Sequence, residues 1–124
     1  MDRIDRVNAQ IKKEISRVVH QELGDPRLEF VTILRVETSR DLRTARVYFS
    51  VLGEDSAVEA AKTALESAGK IIRRYVGGNV KMRYTPEFHF IYDHSAEFSA
   101  RVEQTLTEIH HDDTGKNPKR AAKT

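Results

Sequence analysis

A chain of 124 residues holds one domain's worth of sequence and a modest core. Charged residues make up 32% and hydrophobic ones 39%, the balance of a soluble globular protein, and no apolar run is long enough to cross a bilayer. The absence of cysteine excludes disulfides, thiolate zinc sites and cysteine nucleophiles; the opening MDRIDRVNAQ lacks the apolar stretch of a secretory signal, so a cytoplasmic location is expected.

Ile4, Val7, Ile11, Ile15, Val18, Val19 and Leu23 recur at three- and four-residue steps, which predicts an amphipathic helix over residues 3–23. Gly24 and Asp25-Pro26 stop it, because glycine accepts the left-handed conformation after a helix and proline cannot continue the ladder. Two β-rich runs follow, FVTILRVE at 30–37 and TARVYFSVL at 44–52, joined by the turn-like TSRDLR; together they predict an antiparallel hairpin. In the second run Ala45, Val47, Phe49 and Val51 share one face, with Arg46, Tyr48 and Ser50 on the other. The first run alternates poorly.

Ser56 and Glu59 have capping-box spacing at the head of a second helix. Its apolar face runs Val58, Ala61, Leu65, Ala68, Ile72, Val76; Gly69 predicts a break within it and Gly77-Gly78 its end. KMRYTPEFHFIYD at 81–93 predicts a third strand with Met82, Tyr84, Phe88, Phe90 and Tyr92 on one face, and Pro86 inside it implies an edge position or a bulge. Ser95 heads a last predicted helix carrying Phe98, Val102, Leu106 and Ile109. Residues 1–109 are thus the expected domain, and 110–124, without apolar pattern, a disordered, weakly basic tail. The order α-β-β-α-kink-α-β-α predicts an α+β sandwich, helices covering one face of a three-stranded sheet.

The net charge of +2 is unevenly spread: residues 1–69 carry 11 Lys/Arg against 12 Asp/Glu, and residues 70–124 carry 10 against 7. Lys70, Arg73, Arg74, Lys81 and Arg83 occur before Pro86 with no acid among them, which points to a polyanionic partner. Lys70, Arg73 and Arg74 follow the predicted break on one helix face, with Ile72 and Val76 turned inward. Lys81 and Arg83 take the polar face of the predicted third strand, so one basic surface is expected where helix and strand meet. Arg3, Arg6, Lys12, Lys13 and Arg17 on the first helix make a second candidate patch, and Arg40, Arg43 and Arg46 around the hairpin a third. Such cations neutralise phosphates and release counterions, independently of sequence. Blander readings compete: a charge run is more often a solvated face, and a mid-helix glycine a packing accommodation. The alternating Phe/Tyr row reads as core rather than as a base-stacking platform.

Chemistry is not indicated. The five histidines have no metal-ligand spacing with carboxylates, no serine sits in an elbow motif and no glycine-rich phosphate loop follows a strand. The expectation is a protein that is not an enzyme, with no cofactor and no metal.

Helix–turn–helix pairs flanked by strands are how K-homology (KH) domains hold single-stranded nucleic acid, through a GXXG loop. Here glycines stand at 24, 53, 69, 77, 78 and 115, no two of them three apart, so the order is KH-like without the clamp. Five stretches in succession, RIDRVNAQIKKEI, LGDPRLEFVTI, VETSRDLRTARVYFSVLG, ESAGKIIRRYVGG and MRYTPEFHFIYDHS, resemble the ribosome-binding factor A family of bacterial small-subunit assembly factors. The likeness runs from residue 3 to about 109. It implies a KH-like (type II) fold in which an Ala-X-Gly kink replaces the GXXG loop. It also implies non-catalytic binding of the free 30S small ribosomal subunit near the ends of its 16S rRNA, in support of late maturation and rRNA processing, especially in the cold. Ala68 falls on the family's alanine, but Lys70 occupies its glycine position and Gly69 lies one place early. The kink is therefore assigned to Ala68, Gly69 and Lys70. The RNA-binding candidates are Lys70, Arg73, Arg74, Lys81, Arg83, Arg43, Arg46, Arg3 and Arg6, on a protein expected to be monomeric and away from membranes. The alternative is a KH-like protein-interaction module that does not contact RNA.

Overall fold

The computed structural model describes residues 2–95. Helix α1 spans Arg3–Arg17, opened by Asp2, whose carboxylate accepts the Asp5 N–H at 2.9 Å. One π-helical turn, Val18–Glu22, carries it on to Gly24, which adopts φ +63° as the sequence requires. Ile11, Ile15, Val18 and Val19 are buried along its inner stripe.

Strands β1 (Val31–Thr38) and β2 (Thr44–Val51) form the expected antiparallel hairpin, Val31 opposite Val51 and Thr38 opposite Ala45. The register slips between Ile33 and Arg35, so Leu34 is the extra residue of a bulge. This explains the poor alternation of the first run: Val31 and Ile33 face the core, and Val36 returns to it only because one residue is skipped. Strand β3 (Glu87–Tyr92) pairs in parallel with β2, Thr44 opposite Glu87 and Phe49 opposite Tyr92, giving the order β1-β2-β3. Ala45, Val47, Phe49 and Phe90 point to the covered face, where they meet Ile11 and Ile15 of α1 and the apolar sides of the next two helices. The fold is the α+β arrangement expected, helices on one side of a three-stranded sheet. Each fully buried aliphatic or aromatic side chain contributes about 1.5–3 kcal/mol by leaving water.

Helix α2 (Asp55–Ser67) and helix α3 (Gly69–Asn79) connect β2 to β3. Four expectations are corrected here. First, Ser56 caps nothing: the helix begins two residues earlier than that cap would place it, Glu54 holds the cap position without a side-chain hydrogen bond, and its carbonyl accepts from Ala57 at 2.8 Å. Second, within the kink assigned to Ala68, Gly69 and Lys70, the break falls on Ala68 and not on the glycine that predicted it. Ala68 has φ −88° and ψ 3°, about 45° from helical ψ, while Gly69 is the first residue of α3. The Ala68 carbonyl still accepts from Ile72 at 2.9 Å, so the interruption is a single-residue bend.

Third, Gly77-Gly78 does not end the helix, which runs through both to Asn79. Fourth, residues 81–86 are not strand. In a parallel pair with β2 they would need partners before Thr44, and those residues form the β1–β2 turn. The Glu87 N–H is the first to reach across, to the Arg43 carbonyl at 2.9 Å, and Pro86, buried just before the strand, has no N–H to offer. The predicted aromatic stripe is shortened accordingly: Phe90 is buried and Phe88 and Tyr92 are half-buried, whereas Tyr84 is exposed. The predicted last helix over 98–109 and the tail at 110–124 lie outside the described residues.

Candidate nucleic-acid interface

The rotation of α3 is fixed by Ile72 and Val76, both wholly buried. At about 100° per residue, this throws Lys70, Arg73 and Arg74 to the outside, where all three are exposed. The facing wall is the segment 83–86, brought in by Gly77. A Cβ at Gly77 would lie 2.9 Å from Thr85 Oγ1, so glycine there leaves room for the Thr85 hydroxyl in the rotamer it adopts. Arg73 ties the two together: its Nη2 and Nε donate to the Thr85 carbonyl at 2.9 and 3.3 Å.

The result is an open groove with Lys70, Arg73 and Arg74 on one side and Arg83, Tyr84 and Thr85 on the other. Past Arg73 it continues over Tyr84 and Thr85 to Leu42, Arg43 and Thr44 at the β1–β2 turn, with Glu87 as the one lining carboxylate. None of the ion pairs among the described residues involves Lys70, Arg73, Arg74 or Arg83. Their charge is therefore open to an outside anion. Arg43 is partly offset by Asp41 at 3.9 Å. The Asp41 carboxyl lies below its ordinary range, chiefly because the Ser39 hydroxyl donates to it and then because the Arg43 N–H does.

The remaining candidates are placed elsewhere. Lys81 is on no strand, and it lines a second groove with Lys13, Arg17 and His20 of the first helix and its π turn. The single surface expected for five cations is thus divided, four in one groove and Lys81 in another. In the second groove Arg17 is neutralised, whereas no ion pair among the described residues involves Lys13 or Lys81. Glu14 accepts from Arg17 at 2.8 and 3.1 Å and from Asn79 of α3 at 2.7 Å. The Arg17 hydrogen bonds, above all, hold the Glu14 carboxyl below its ordinary value. Arg17 also pairs with Glu22 at 2.6 Å, which together with Glu14 raises its own pKa. Arg46 lies on the sheet face away from the described helices, 3.2 Å from Glu37 on the neighbouring strand, near Arg35 stacked 3.8 Å over Tyr48. Arg3 and Arg6 stand exposed on the opening turns of α1.

Tyr84 was hidden in the sequence by its alternation with Met82 and Phe88. Its one local signal is position: it lies between Arg83 and a proline that ends strand pairing. Among the described residues no group of three or more His, Asp or Glu could hold a metal ion, and no helix is long and apolar enough to cross a membrane.

The sequence pattern of the family "Ribosome-binding factor A" matches residues 3–106. The ribosome-binding factor A of Trichlorobacter lovleyi is 42% identical over 107 residues, covering 86% of this chain and 87% of that one. That of Acetivibrio thermocellus is 42% identical over 109 residues, covering 87% and 89%. Among solved structures, crystalline ribosome-binding factor A from Thermus thermophilus superposes with a TM-score of 0.65 at 29% identity, covering 72% of this chain and 94% of that one. A homology model of the Thermus thermophilus factor, fitted into a cryo-EM map of a 30S complex, superposes with a TM-score of 0.62 at 28% identity over 74% of this chain and 97% of that one.

Proposed function

The chain belongs to the ribosome-binding factor A family, and we propose that it acts without catalysis, as a monomer in the cytoplasm, by binding the free 30S subunit through the 16S rRNA backbone. Support of late maturation and rRNA processing, especially in the cold, is part of the same proposal. The observation that carries it is the groove between α3 and residues 83–86, where Lys70, Arg74 and Arg83 stand without carboxylate partners. Lysine and arginine there neutralise phosphates and release condensed counterions, and the bend at Ala68 sets the angle at which α3 presents them. The Thermus thermophilus factor seen with a 30S particle supports the choice of partner.

Arg43 extends this surface; Arg73 serves it mainly by holding Thr85 in place. Lys81, Arg46, Arg3 and Arg6 fall outside the groove and make, at most, separate contacts. The test is co-sedimentation with free small subunits. The Lys70→Glu/Arg74→Glu variant, which leaves Arg73 and its hydrogen bonds intact, binds roughly ten-fold more weakly or worse with its melting temperature unchanged. Undiminished binding by a folded variant overturns the assignment. A protein-interaction reading has one feature in its favour: Phe30 and Leu52, joined by a 3.1 Å backbone hydrogen bond, are 57% and 75% exposed at one end of the hairpin. Affinity independent of salt would favour that reading.

A further inference from the structure

Tyr84 is half exposed, at 51%, and lines both parts of the groove, between the α3 cations and Arg43. Its backbone is held on the C-terminal side by the Arg73 bonds to Thr85 and by buried Pro86. The Arg83 guanidinium lies 5.5 Å from its ring centroid. A solvent-open ring on a held backbone segment, with Lys70, Arg74 and Arg83 free of carboxylate partners beside it, combines two recognition elements. The cations suit phosphates. The ring offers a flat π surface, which suits any nucleobase whose own face is free. In a duplex those faces are stacked within the helix, and only edges, phosphates and sugars are presented.

We propose that this groove takes an unpaired RNA nucleotide, its base stacked on Tyr84 and its flanking phosphates held by Lys70 and Arg74 on one side and Arg43 on the other. The proposal rests on the rRNA-binding reading above and adds that the RNA at this groove is single-stranded. Sequence preference is weak, because stacking accepts every base.

The chain contains no tryptophan, so Tyr84→Trp introduces one fluorophore while keeping an aromatic face. The probes are a single-stranded oligoadenylate of about twelve nucleotides, within the span of known single-strand sites, and an RNA duplex of equal phosphate count. The single strand is expected to quench the tryptophan strongly; the duplex is expected to leave emission nearly unchanged. Tyr84→Ala is expected to lose roughly ten-fold in affinity for the single strand, and Tyr84→Phe less than about two-fold. Equal quenching by both probes, no quenching, or wild-type affinity in a folded Tyr84→Ala variant overturns the stacking proposal. If small subunits are still bound in a way that depends on Lys70 and Arg74, only the stacking falls. If the wild-type chain ignores small subunits and both RNAs, the rRNA reading falls with it.

Discussion

Gly77 and Gly78 sit side by side in the last turns of α3, yet they meet different surroundings. A methyl group on Gly78 would touch nothing within 4 Å; on Gly77 it would lie 2.9 Å from Thr85 Oγ1. Alanine at either position gains about 0.5–1 kcal/mol from lower unfolded-chain entropy and better helix propensity. For Gly78→Ala that gain is realised, and the melting temperature rises by a few degrees. For Gly77→Ala the clash opposes it. To relieve it Thr85 must turn its hydroxyl to another rotamer or shift a backbone held by the Arg73 bonds and by buried Pro86. Overpacking of this kind costs about 1–3 kcal/mol, so the variant is less stable than wild type by up to about 2.5 kcal/mol. Thr85→Ala removes the offending oxygen and leaves the threonine Cβ position 3.8 Å away, an ordinary contact. A double-mutant cycle over Gly77→Ala and Thr85→Ala, read from urea midpoints, therefore shows a coupling of about 1 kcal/mol or more. Equal stability of the two alanine variants, or a coupling of zero, refutes the close-approach argument and with it the explanation of how the groove's second wall is positioned.

Gly69→Ala is tolerated, because the bend rests on Ala68 and open space faces Gly69; stability rises slightly and affinity for small subunits is unchanged, whereas a selective loss of affinity would return the hinge to Gly69. Arg73→Ala loses the two bonds to the Thr85 carbonyl and about 1 kcal/mol of stability in thermal unfolding; Arg73→Lys, lacking the planar fork, recovers less than half of it, and full recovery by lysine contradicts the bidentate role. Glu14 titrates below its ordinary value of 4.5 in the folded chain, so its contribution is present above that value and is lost as pH falls through the folded pKa. Glu14→Gln is accordingly less stable than wild type at neutral pH, and the gap between their urea midpoints closes as pH falls through the lowered Glu14 pKa. A gap that persists in acid shows that Glu14 holds α1 to α3 by something other than its charge.

The sequence carried most of the fold because most of it is locally encoded. The three- and four-residue apolar steps from Ile4 to Leu23 and the left-handed Gly24 need no knowledge of neighbours. The alternation from Ala45 to Phe49 is equally self-sufficient. What was hidden depends on partners. The bulge at Leu34 is visible only against β2, and the fate of residues 81–86 only against the end of β2 at Thr44. Met82-Arg83-Tyr84 alternates like a strand, but a strand needs a ladder to join, and none is within reach. The glycine pair read as a stop because glycine is a common helix terminator; its use at Gly77 is steric and lies in a residue eight positions later. For the candidate site, the cluster of cations was legible as composition. Its division was not: the positions of Lys81, Arg46 and Arg43 follow from topology, and the parallel return of β3 is what carries the β1–β2 turn and Arg43 to the same groove as α3.

Binding, on this reading, is electrostatic contact between the α3 groove and RNA phosphates. Affinity for free small subunits, measured across salt concentrations for the wild type and for Lys70→Ala/Arg74→Ala, tests it most directly. Log affinity is expected to fall linearly with log salt, with a slope shallower by roughly 1.5 in the variant, since two phosphate contacts are gone. Parallel lines for the two proteins, or an affinity indifferent to salt, would contradict it.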